Sequence, residues 1–402
     1  MKLNQPKLWT KNFLIVTTAN FFLYFTFYLL MVTMSLFASE KFHATPSQAG
    51  LASGIFIIGT LVLRIFSGKY IEKIGCKRML YIGFTLFLIT TCLYLLVNSM
   101  GMLLANRFLN GAAMGIASTA TGTIVAKIIP NERRGEGTGY YTLSLTLAAA
   151  IGPFLGMLIT EHASFYMNFI VCVAFLAISF IAVFFVEVPK LELAKEQLKK
   201  RSNFSIHNFF EIKAVPISIV SALIAFGYSS ILTFITPYVK EINLAYAGSF
   251  FFIVYAVFVF VSRPFTGKWL DTKGENFVMY PSIILFAIAL FIMSGVNNGF
   301  TLLLVGALVG IGYGTISSSC VAIAIKVSPK HNIGLATSTS FIFQDLGVGF
   351  GPFILGLLVP SIGYRGLYLA MAIVTFITML LYYFLHGRNS VYEENINEAS
   401  SI

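Results

Sequence analysis

Residues 64–75 read RIFSGKYIEKIG, and residues 263–274 read RPFTGKWLDTKG. Five of the twelve positions are identical (Arg64/Arg263, Phe66/Phe265, Gly68/Gly267, Lys69/Lys268 and Gly75/Gly274). Four more are close exchanges, Glu72 for Asp271 and Tyr70 for Trp269 among them. The copies stand 199 residues apart in a chain of 402, which reads as an internal duplication. The same offset recurs elsewhere. Gly111 and Gly115 match Gly310 and Gly314, Lys127 and Pro130 match Lys326 and Pro329, and Gly152-Pro153-Phe154 matches Gly351-Pro352-Phe353.

Composition says where such a chain can exist. It is 57% hydrophobic and 11% charged, with a mean hydropathy of +0.84. A water-facing domain carries roughly a quarter charged residues, so this chain belongs in lipid. Spans of about 20 apolar residues are expected at 12–37, 49–66, 79–97, 102–126, 139–160, 165–187, 214–238, 247–266, 277–295, 301–325, 335–359 and 366–386. One long polar segment follows the sixth. The expected fold is an all-α membrane protein with 12 transmembrane helices in two pseudo-symmetric six-helix bundles. Residues 1–188 form the first bundle, 189–213 a cytoplasmic linker, 214–387 the second bundle and 388–402 a cytoplasmic tail.

Basic residues set the orientation. With the N-terminus in the cytoplasm, only Lys41, Lys240 and Arg365 fall in outer loops and Arg107 lies within a span, leaving 23 of 27 on the inner side. The net charge of +11 therefore concerns orientation and anionic lipid. It is divided among short loops, which argues against nucleic acid. Cys76, Cys92, Cys172 and Cys320 lack metal or disulfide spacing and read as small apolar fillers. The run Asn12–Phe37 is too long for a signal h-region and reads as a first span.

Because matched features recur at equivalent places, both halves have the same sidedness, the parallel arrangement of major facilitator transporters. The chain resembles that superfamily along nearly its whole length, and within it the twelve-helix bacterial drug/proton antiporters. The loop signature G-x-x-x-D-x-x-G-R-K/R is carried here by Gly68, Glu72, Gly75, Lys77 and Arg78, with Glu for Asp and Cys76 for a basic residue. Its second copy keeps Gly267, Asp271 and Gly274. Gly68 and Gly267 are expected to let backbones approach closely. The resemblance implies a latch in which Lys69, Lys73, Lys77 and Arg78 meet acids such as Glu132 or Glu136. It also implies a proton-transfer role for Arg107, which precedes Gly111 and Gly115; the bland alternative is a snorkelling side chain. Gly152-Pro153-x-x-Gly156 resembles the antiporter motif, although Ala148 stands where Gly is frequent.

One carboxylate stands apart. Asp345, in SFIFQDLGVGFGP, lies mid-span, whereas the other fifteen fall in loops or near helix ends. Low dielectric disfavours its ionised form, which suits a proton carrier; a scaffold fixed by Gln344 or nearby hydroxyls is the alternative. In this family spans one, four, seven and ten surround the cavity. Asn20, Tyr24, Tyr28, Asn110, Tyr228, Ser318 and Gln344 are its expected lining.

The sequence thus reads as a secondary transporter, most simply a proton-coupled exporter of small lipophilic or cationic compounds. Transport of a defined sugar, organic anion or siderophore is the alternative. No phosphate loop, HExxH, GxSxG or His pair within a span suggests a pump or an enzyme. A monomer in the bacterial plasma membrane is expected, with both termini cytoplasmic, a small-molecule substrate and protons as partners, and no cofactor, nucleotide or metal.

Overall fold

The computed structural model describes residues 7–130, 133–187, 210–329 and 332–388. Among these residues every long element is helical. They are α1 (Lys11–Phe42), α2 (Pro46–Ile74), α3 (Cys76–Leu93), α4 (Met100–Ile128), α5 (Arg134–His162), α6 (Phe165–Val183), α7 (Val215–Glu241), α8 (Ala245–Thr272), α9 (Glu275–Ser294), α10 (Gly299–Lys326) and α11 (Ile333–Tyr382). Helices of this kind satisfy their own backbone groups, which a lipid surround requires.

Among the described residues ten helices are long and apolar enough to cross a membrane. Two differences from the expected twelve have local causes. α4 is not among the ten, because Asn106, Arg107, Asn110 and many small residues dilute its hydropathy. α11 runs through two expected spans, yet Gly363 breaks it with φ 66° and ψ 177°. That left-handed φ is open to glycine and strained for other residues.

Helix starts repeat at the offset of the sequence motifs. Ser99 caps α4 by accepting from the Met102 N–H at 3.3 Å, and Asn298 caps α10 by accepting from Thr301 N–H at 2.8 Å. Gly75 and Gly274, which close the two signature loops, turn the chain into α3 and α9 with φ of 97° and 82°.

Contacts divide the chain into two compact units, Met1–Ala44 with Leu51–Lys199, and Thr45–Gly50 with Lys200–Ile402. Inside the first, α1 packs on α4, α5 and α6, and α3 packs on α4 and α6. Inside the second, α7 packs on α10 and α11, and α9 packs on α10 and α11. α2 meets α4 through Gly111, where an added Cβ would strike the Phe56 carbonyl; α8 meets α10 through Gly310, where it would strike the Tyr255 carbonyl. Phe56 and Tyr255 are themselves one repeat apart. The duplication read from sequence is therefore present in the internal packing of each unit.

Candidate functional site

In the first unit the expected polar residues are held by their own helices. Asn20 on α1 is fully buried. Its amide donates to Ser144 Oγ at 3.2 Å, and its Oδ1 accepts from Tyr141 OH at 2.8 Å and Thr121 Oγ1 at 3.1 Å. Asn110 on α4 is also fully buried and donates to Thr90 Oγ1 at 2.8 Å and Thr91 Oγ1 at 3.2 Å on α3. Both side chains tie helices together within the unit. A buried amide with its groups paired in this way serves as scaffold in this structure, and the cavity role expected of both residues is not tested by these contacts. Tyr24 and Tyr28 remain half-buried on α1, their rings 6.5 Å apart.

Arg107 is the largest fully buried side chain. Its Nε donates to Ala52 O at 2.8 Å, its Nη2 to Ser53 O at 3.3 Å and its Nη1 to Tyr94 OH at 3.4 Å. The guanidinium also lies 4.6 Å from the centre of the Phe56 ring. It clasps α2 to α4 and does not snorkel. These partners are neutral, so the charge is spread over carbonyl dipoles and an aromatic face.

The second unit has a different polar patch. Gln344 on α11 donates to Ser317 Oγ at 2.6 Å and to Tyr313 OH at 3.2 Å, both on α10. The Tyr313 ring stacks on Tyr228 of α7 at 3.8 Å and 7°. Ser318 turns back onto its own helix, donating to Gly314 O at 3.1 Å and Thr315 O at 3.0 Å. Asp345 is half-buried and stands twelve residues after Ile333, about 18 Å along the helix. The structure thus brings Tyr228 and Gln344 together through Tyr313, a residue the sequence reading missed. Its absence from the polar face of an early span left no signal; only its partner position opposite Gln344 reveals it.

The signature loops are described in part. The side chains of Lys69, Glu72, Glu136 and Asp271, and residue Glu132 as a whole, lie outside the described residues. A Cβ at Gly68 or Gly267 would meet no described residue within 4 Å. Lys73 and Arg78 are exposed, and Lys77 lies 5.8 Å from the Tyr81 ring centre. Gly152 and Gly156 do pack tightly: added Cβ atoms would sit 2.9 Å from Phe25 O and 3.0 Å from Leu29 O on α1. Pro153 lies inside the continuous α5.

An ion cluster around the buried Glu275 at the start of α9, with Lys326 exposed, was also missed. Glu275 lies 2.9 Å from Lys326 Nζ and also contacts His386 Nε2. The repeat offered the clue. Cys76 and Lys127 occupy the equivalent positions, and there Lys127 Nζ approaches the Cys76 sulfur at 3.2 Å.

Comparison with known proteins agrees with this architecture. The chain is similar to Multidrug resistance protein 2 of Bacillus subtilis, 22% identical and covering 98% of each chain. It is 22% identical to the Staphylopine export protein of Staphylococcus aureus, over 84% of this chain and 87% of the relative. Quinolone resistance protein NorA of Staphylococcus aureus is 20% identical over 84% of this chain and 89% of its own. Among solved structures, a bacterial homologue of the lysosomal transporter Spinster superposes with a TM-score of 0.79 at 13% identity, covering 94% of this chain and 97% of the other. The Major Facilitator Superfamily profile matches residues 16–296 and again 249–401. With the helices, the repeat and these matches together, the chain belongs to the Major Facilitator Superfamily of membrane transporters.

Proposed function

We propose that this transporter is a proton-coupled antiporter that exports small lipophilic or cationic compounds across the bacterial plasma membrane. In this reading twelve spans form two six-helix bundles, residues 1–188 and 214–387. A linker at 189–213, a tail at 388–402 and both termini lie in the cytoplasm. The break of α11 at Gly363 and the continuous helicity of α4 support twelve spans. The observation that carries the coupling is Asp345, a half-buried carboxylate in the middle of a membrane-length helix beside the Gln344–Tyr313–Tyr228 patch. A carboxyl group in such surroundings can hold a proton and release it when water or a cation arrives. Arg107 enters as a fixed positive charge, since arginine does not give up its proton in proteins.

Relatives named for multidrug and quinolone resistance support export of foreign compounds. The Staphylopine export protein favours a second reading, export of one defined metabolite. A screen of dyes, organic cations and metal-chelating metabolites in a pump-deficient host decides between them. Asp345→Asn is expected to abolish proton-driven efflux of whichever compound scores, with membrane abundance unchanged. Efflux at the wild-type rate in that variant rejects the coupling role.

A further inference from the structure

The two units of a duplicated chain differ most where one has acquired a task that the other lacks. At the offset of 199, Tyr228, Tyr313 and Gln344 correspond to Leu29, Met114 and Leu145, and Asp345 corresponds to Thr146. Ser317 alone keeps its type, as Ser118. Three polar or aromatic side chains in one unit thus stand where the other has three apolar ones, and the mid-helix carboxylate stands where the other has Thr146.

The packing shows what the cluster does. α11 meets α7 through Gly347 and Gly351, where added Cβ atoms would strike Ala222 O and Ser229 Oγ. A face this smooth lets helices approach without interlocking side chains, so it fixes distance better than rotation. Rotation is set by Gln344, on the same face as these glycines (i, i+3, i+7), which spends both amide hydrogens on α10, at Ser317 and Tyr313. Tyr313 is itself braced by the Tyr228 ring at 3.8 Å and by Phe286 at 5.7 Å. Successive residues on a helix point about 100° apart, so Gln344 does not face Asp345. It governs the direction in which Asp345 faces by fixing the turn that carries both.

We propose that Tyr313, with Ser317, is a positioning residue that clamps α11 through Gln344 and so sets the environment of Asp345. The proposal rests on the proton-carrying reading of Asp345. Among the described residues, the elements packed on α11 carry Tyr228 and Tyr238 on α7, Tyr280 on α9, Tyr313 and Cys320 on α10, and the buried Glu211 just before α7, whose N–H donates to Thr339 Oγ1 of α11 at 2.9 Å. The described charged groups of α7, α9 and α10 stand at helix ends, as Lys240, Glu241, Glu275 and Lys326.

The test uses the full chain reconstituted in lipid and needs no substrate. pH-difference infrared spectroscopy reads the stretch of protonated carboxyl groups, and the band lost in Asp345→Asn is that of Asp345. Tyr313→Phe keeps the ring stack and removes one acceptor, while Ser317→Ala removes the other. Each is expected to move the midpoint of the Asp345 band by about one pH unit, and Tyr280→Phe, far along α9, is expected to leave it in place. Midpoints unchanged to within about 0.2 unit in both clamp variants overturn the clamp and leave the proton site standing. If Asp345→Asn removes no titrating band, the proton-carrying reading itself falls and the clamp with it.

Discussion

Arg107 occupies its place through a geometry that lysine does not offer. Its fork reaches two successive carbonyls of α2 while its plane lies against Phe56. Arg107→Lys keeps the charge but loses part of this fan, at about 1–3 kcal/mol for each buried group left without a partner. A lower melting midpoint in detergent is therefore expected, with the variant still inserted in the membrane; an unchanged midpoint contradicts the clasp. The same residue shows what periodicity hides. Asn20, Asn110 and Arg107 announce themselves as polar groups in apolar helices, and nothing in the local pattern tells whether such a group faces a cavity or a neighbour. The partners that hold such a group, Ser144 and Tyr141 for Asn20, lie 124 and 121 positions away. Tyr313 is the opposite case, an aromatic residue that reads as packing until Gln344 is found on its hydroxyl.

For the helices, legibility was higher, because length and apolar content are local properties. The spans and the repeat could be read from the chain, whereas the purpose of individual glycines could not. Gly68 and Gly267 sit in the most conspicuous motif, yet no described residue lies within 4 Å of a Cβ added there. Gly111 looks like an ordinary small residue and separates α4 from α2 at backbone contact. Gly68→Ala is accordingly expected to leave folded yield in detergent close to wild type. Gly111→Leu forces the Phe56 carbonyl away and costs about 1–3 kcal/mol or more, as does Gly310→Leu against Tyr255. Size-exclusion profiles of the three variants measure this directly. Equal losses for Gly68→Ala and Gly111→Leu contradict the assignment of close packing to α2 and α4.

At the scale of the whole chain, the repeat constrains sidedness. Two copies related by an offset of 199 close their signature loops with the same positive-φ glycine, Gly75 and Gly274, and leave into α3 and α9. An even number of crossings separates these two points if six spans make each half, so both loops face one side. In the proposed topology the distribution of Lys and Arg puts that side in the cytoplasm, with Lys41, Lys240 and Arg365 as the outer exceptions. The structure gives two of these exceptions a local function that does not depend on orientation. Lys41 donates to Val97 O at 2.8 Å and Arg365 to Val296 O at 3.3 Å, carbonyls one repeat apart. Each cation thus satisfies a backbone group beyond the end of a helix in its own unit. Reporter fusions test the resulting topology. Alkaline phosphatase joined after His43, Asn98 or Asn297 is expected to be active, and green fluorescent protein joined after Gly75, Gly274 or Arg388 to be fluorescent. Because Gly75 and Gly274 are equivalent positions, a split result, with one fluorescent and the other active only as a phosphatase fusion, means an odd number of spans between them. That outcome removes the twelve-span reading and the parallel relation of the halves, whatever the substrate proves to be.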